Sequence, residues 1–133
     1  MQPALSGLAS DQAAPTETTM KKLKQLLDYA ASQEEPAITY SASDMVLAGH
    51  SDGSYLSEKN ARSRAGGHWF LSKNTEHPPN NGAILNISQI IKAVMSSAAE
   101  AKLAALYINA REAAYIRKIL TEMGHLQPRT PLQ

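Results

Sequence analysis

The sequence contains no cysteine, so disulfides and thiolate zinc sites are excluded, and the composition fits a reducing compartment. It has one tryptophan and one phenylalanine, and aromatic residues are 5% of the chain, so the pair Trp69-Phe70, which could stack on a base, is expected first of all in the core. No apolar run approaches the roughly 20 residues that span a bilayer, and the polar start Met1-Gln2-Pro3 lacks the basic and apolar regions of a signal peptide. No membrane association and a cytoplasmic or nuclear location are the expectations. Charge of one sign is also missing: the net charge is +1, so attraction to nucleic acid would have to come from local clusters of Lys and Arg. What remains, 133 residues with 43% hydrophobic and 19% charged content, suits one ordinary soluble domain.

Residues Gln2 to Thr18 are rich in Ala, Ser, Pro and Gln and are expected to be loop or frayed terminus. From a cap at Thr18 or Thr19, Met20, Leu23, Leu27 and Ala30 recur at helical spacing, which predicts an amphipathic helix ended by Ser32-Gln-Glu-Glu-Pro36. Ile38 to Tyr40 and Met45 to Ser51 read as strands, the second closed by Asp52-Gly53. Ala65 to Leu71 and Ile84 to Ile87 read as two more, which suggests an antiparallel meander. Ser97-Ala-Ala-Glu100 is a capping-box pattern that opens a helix with Ala101, Ala105 and Ile108 on one face. A second helix is predicted with Tyr115, Ile119 and Met123 on its stripe and Gly124 as its stop. The fold class is therefore α/β (α+β): an N-terminal amphipathic helix, a three-stranded antiparallel meander and two helices. No internal repeat is present.

Two carboxylates stand where a metal site would need them, Asp52 after an apolar strand and Glu100 in the first turn of a helix. Magnesium prefers oxygen ligands, and two-metal hydrolysis of a phosphodiester requires several carboxylates gathered from different elements. The structural readings of the same residues are a turn at Asp52-Gly53 and a cap at Glu100. Lys59, Arg62 and Arg64 beside Gly66-Gly67 could contact phosphates or simply be solvated. His50, His68, His77 and His125 lack close metal-ligand spacing, although His50-Ser-Asp52 puts two ligands on one strand face; structural or solvent-facing roles are expected. Trp69-Phe70 is read first as core.

Ser51-Asp-Gly-Ser-Tyr55, Ala61-Arg-Ser-Arg-Ala-Gly-Gly67, Ser96-Ser-Ala-Ala-Glu-Ala-Lys-Leu103 and the segment Ala110 to Gly124 resemble, in that order, successive blocks of the ribonuclease H domain of copia-type retrotransposon polyproteins. The resemblance covers about Ile38 to Gln133, and the helix before it resembles the end of the reverse transcriptase region. It implies two segments: 1–37, a reverse transcriptase tail, and 38–133, a truncated ribonuclease H-like domain. It also implies a mixed sheet flanked by helices and Mg²⁺-dependent cleavage of the RNA strand of RNA–DNA hybrids.

Carried over by position, Asp52 corresponds to the family's first catalytic aspartate and metal ligand. The family's helix block commonly reads Glu-Ala-Glu, and its second glutamate, the metal ligand implied by other ribonucleases H, is here Lys102. Glu100 lies about 200° around the helix from that position and is expected to cap. The two further aspartates would fall beyond Gln133. The resemblance thus implies a degenerate site without hydrolytic activity, with an ion pair between Lys102 and Asp52 where a cation would sit. The alternatives are cleavage through Asp52, Glu100 and magnesium, and non-catalytic nucleic-acid binding through Lys59, Arg62, Arg64 and Lys102. A third expectation concerns the strand edge along Met45 to Ser51: left unpaired, it would be covered by a helix or would support a homo-oligomer.

Overall fold

The computed structural model describes residues 1–130 and 132. The chain divides into two compact units, Met1–Ala37 and Ile38–Gln133.

The first unit is a pair of helices. α1 (Gln2–Ser10) replaces the expected loop: Pro3 in its first turn carries a preset helical φ, and Ala4, Leu5, Leu8 and Ala9 are good helix formers. None of its residues is buried. α2 (Glu17–Ala31) begins earlier than Thr18, because Thr16 is the N-cap. Its hydroxyl accepts the Thr19 N–H, and the Thr19 hydroxyl accepts the Thr16 N–H, both at 3.2 Å.

The second unit is α+β. Its sheet has the order β1-β2-β3, with β1 (Val46–Glu58), β2 (Arg62–Ser72) and β3 (Ala83–Ile90) all antiparallel. Ile38 to Tyr40 is not a strand; Tyr40 instead donates its hydroxyl to the Ala83 carbonyl, and Ser41 donates its N–H to Asn81 Oδ1 at 2.7 Å. Asp52-Gly53 does not turn the chain. β1 runs on to Glu58, with Asp52 opposite Gly66 and Gly53 opposite Ala65. The turn comes later, after a register shift between Ser54 and Glu58 in which Leu56 is left-handed (φ 53°), followed by a left-handed pair, Asn60 and Ala61.

The two predicted C-terminal helices are one, α3 (Ala98–Glu122). No Gly or Pro lies between its ends, and Asn109, a residue that often favours turns, is held in helical geometry by its side chain, which bonds the Ala105 carbonyl one turn back and the Trp69 indole of the sheet. α3 stops just before Gly124, which takes φ +92°. The buried row is Ala101, Ala105, Asn109, Ala113 and Leu120. Tyr115, Ile119 and Met123, expected on the inner stripe of a second helix, are 63%, 55% and 64% exposed. A stripe chosen by large side chains failed because this helix packs through small ones.

Close approach explains that choice. A Cβ at Gly53 would sit 2.6 Å from the Ala101 carbonyl oxygen, and one at Gly49 would sit 2.5 Å from the Trp69 ring. Trp69 and Phe70 are both buried, Trp69 in the core cluster with Leu47, Ala113 and Leu120. A second cluster joins Ala65, Ile91 and Ala105.

The expected bare edge along Met45 to Ser51 is in part occupied. Among the described residues, what lies there is the Gln127 side chain and a single bridge from Leu132 to Gly49. No described helix is long and apolar enough to cross a membrane.

Candidate active site

The place where α3 begins over β1 brings Lys102 beside Asp52. Ser51 and Gly53 face the helix: Asn109 donates its amide to Ser51 Oγ at 3.0 Å, and Gly53 lies against Ala101. Asp52, between them, projects to the other side of the strand. Its side chain is 82% exposed. Lys102, 69% exposed, extends from the helix until its Nζ is 4.0 Å from Asp52 Oδ1. The ammonium therefore does stand beside this carboxylate, at the outer limit of an ion pair, and between two solvated groups such a contact adds little stability.

Glu100 is turned away from that pair by its own helix end. The Ser97 hydroxyl accepts the Glu100 N–H at 3.1 Å, and Glu100 Oε2 accepts the Ser96 N–H at 2.7 Å. The Ser96 backbone N–H stabilises the ionised carboxylate and holds its pKa below the ordinary glutamate value. The expected cap is thus formed, with the reciprocal bond reaching Ser96 instead of the N-cap residue itself.

The donors of this region do not fit a magnesium pair. One exposed carboxylate has an ammonium beside it, the second serves as a cap, and no group of three or more His, Asp or Glu close enough to hold a metal occurs among the described residues. His50, two residues from Asp52 on the same strand face, shares a hydrogen bond with Asn80 Oδ1 at 2.6 Å. His68, its cross-strand partner, is bonded to Asn86 Oδ1 at 2.9 Å, and both rings lie against Phe70.

The basic cluster is divided. Lys59 and Arg62 are exposed, whereas Arg64 is 8% exposed. Its Nε donates to Glu58 Oε1 at 2.6 Å, and its Nη1 donates to the Ser88 carbonyl and hydroxyl. Arg64 is therefore a cross-strand clamp in this structure and is not presented to a phosphate. The Arg64 hydrogen bond also lowers the Glu58 pKa from its ordinary 4.5. A depressed carboxylate pKa contributes stability that is present above 4.5 and is lost as pH falls through the lower folded value. Glu58→Gln is accordingly expected to be less stable than wild type at neutral pH, with the gap closing on acidification below that point. Urea midpoints measured across the acid range check this; a gap independent of pH would refute it.

Two residues the sequence reading passed over organise the region. Asn109 is fully buried: its Oδ1 accepts the Trp69 indole N–H at 3.1 Å, and its Nδ2 lies 2.9 Å from the Gly66 and Ala105 carbonyl oxygens. Its signal was available in the four-residue row Ala101, Ala105, Asn109, Ala113, with an amide in the middle of small apolar residues. Gln127, in a polar stretch after α3, carried no comparable signal. Comparisons of the chain with models of protein families, with curated proteins and with solved structures found no match in any of the three.

Proposed function

We propose that residues 38–133 are a degenerate ribonuclease H-type domain of copia-type retrotransposon ancestry that does not cleave the RNA strand of RNA–DNA hybrids. On the same reading, residues 1–37 are the end of a reverse transcriptase region. The order of the sequence blocks supports the ancestry, and so does the arrangement of an antiparallel three-stranded sheet followed by a helix whose first turn lies on the strand carrying Asp52.

The observation that carries the loss of activity is the 4.0 Å separation of Lys102 Nζ from Asp52 Oδ1. A cation supplied by the protein stands beside the carboxylate that the resemblance makes a metal ligand. Magnesium surrenders its water reluctantly, and here it would have to displace this ammonium at a site offering one free carboxylate. The capping role of Glu100 works in the same direction, because turning its carboxylate toward a metal would strip the Ser96 N–H of its acceptor. The enclosure of Arg64 by Glu58 and Ser88 weighs against a purely electrostatic nucleic-acid module.

The test is an RNA–DNA hybrid cleavage assay on the whole chain with Mg²⁺ or Mn²⁺, run beside Asp52→Asn. No cleavage above the protein-free rate is expected from either protein. Cleavage by wild type that disappears in Asp52→Asn would overturn the proposal.

A further inference from the structure

The free edge of β1 is held by a short strap. Leu47 donates its N–H to Gln127 Oε1 at 2.9 Å, and Gln127 Nε2 donates to the Met45 carbonyl at 2.8 Å. One side-chain amide thus supplies the donor and acceptor pair that a neighbouring strand would supply. Further along, Leu132 forms a single parallel bridge with Gly49 and packs against the Leu47–Trp69 cluster. Between these points the chain is tied to α3 by Arg117, whose guanidinium donates to the carbonyls of Gln127 and Pro128 and to the Thr130 hydroxyl. The strap leaves α3 through Gly124, at φ +92°.

We propose that this strap is exchangeable: the β1 edge accepts a parallel extended segment, and in a dimer of the chain that segment is the strap of a second copy, seated through its Gln127 and Leu132. Two hydrogen bonds from one side chain and one bridge are a light hold on an edge. Every contact the strap makes with β1 and with Arg117 is the same whether strap and edge belong to one chain or to two. Exchange therefore costs only the association entropy and the rearrangement of the hinge. The hinge has the freedom this requires, because glycine passes between positive and negative φ without a Cβ penalty. The second copy is the occupant because its strap has the sequence already seated on this edge. Ser51 and Gly53 prolong the same outer strand beyond Gly49.

The whole chain, refolded from denaturant at millimolar concentration, is expected to give a dimer by light scattering. In an equal mixture of ¹³C-labelled and unlabelled chains, isotope-filtered NOEs are then expected between Leu132 methyls and Gly49 α-protons of different copies. Gly124→Ala keeps all the strap contacts but strains the closed turn, since a side chain at positive φ is unfavourable. It is expected to raise the dimer association constant on the order of tenfold. A strictly monomeric protein, a dimer whose Leu132–Gly49 NOEs arise only within one chain, or a Gly124→Ala protein that folds but dimerises no more strongly than wild type would each overturn the proposal. If Gly124→Ala does not fold, the filtered NOEs of the wild-type chain decide the matter.

Discussion

Asn109→Asp is expected to leave residues 38–133 largely unfolded near neutral pH, and Asn109→Ala to cost about 3–4 kcal/mol. The asparagine amide matches its surroundings in both directions. Its oxygen accepts the Trp69 indole N–H, and its nitrogen faces the carbonyl oxygens of Gly66 and Ala105 and the Ser51 hydroxyl. Alanine removes all of these partners at once, leaving a buried donor and buried carbonyls unsatisfied and opening a cavity between helix and sheet. Aspartate keeps the shape but turns a donor into a negatively charged acceptor aimed at other acceptors. A buried carboxylate without a cation costs several kcal/mol, a large part of the roughly 5–15 kcal/mol available to a small domain.

The two variants also differ in their response to pH. Burial favours the protonated form of the introduced carboxyl, so its pKa is raised in the folded state. The Asn109→Asp deficit should therefore shrink as pH falls, whereas the Asn109→Ala deficit should not follow that titration. Urea unfolding followed through Trp69 fluorescence measures both. An Asn109→Ala loss below about 1 kcal/mol would show that water or local repacking satisfies these groups and that the amide is not the hub described here.

This junction also marks where the sequence could be read and where it could not. The strands of the meander were legible because apolar runs, glycines and the Pro-Pro-Asn-Asn-Gly82 stretch coincide with physical boundaries. The start of α3 was legible because Ser97 and Glu100 are the residue types that satisfy the free N–H groups of a first turn. The middle of α3 was misread for a reason of packing. Helical spacing of large apolar residues points to Tyr115, Ile119 and Met123, but a helix lying close to a sheet buries alanines and leaves large residues at its margin. Asp52-Gly53 was misread because a turn signal is local, whereas cross-strand pairing with Gly66 and Ala65 outweighed it.

The candidate site was legible in its parts. Asp52 and Lys102 approach one another and Glu100 caps, as position and helical angle suggested. Arg64 differed because nothing in the spacing of basic residues reveals that a bulged hairpin brings Glu58 back across to it. The cover on the β1 edge was out of reach, since it depends on a side chain 80 residues from its partner in sequence.

Gly67→Ala is expected to cost about 3 kcal/mol, while Gly66→Ala beside it changes stability by less than about 1 kcal/mol. The difference comes from the face each residue occupies. A methyl at position 67 would be driven into the Asn109 carboxamide, whereas a methyl at 66 meets only the Asp52 carbonyl oxygen, at an ordinary 3.6 Å. Neither glycine has a positive φ, so the contrast is steric and owes nothing to backbone conformation. Asn109 cannot withdraw, because its amide is bonded to β1, to β2 and to its own helix.

That coupling gives the sharper form of the prediction. In an Asn109→Ala background the obstructing carboxamide is gone, and the methyl at 67 enters the space it vacated. There Gly67→Ala is expected to be close to neutral, which gives a coupling energy of about 2–3 kcal/mol between the two sites. Purely additive losses in the double variant, or equal effects at positions 66 and 67, would mean that the helix rides higher on the sheet than its contacts with Gly53 and Gly67 require. The close seating of α3, which also sets the reach of Lys102 toward Asp52, would then have to be redrawn.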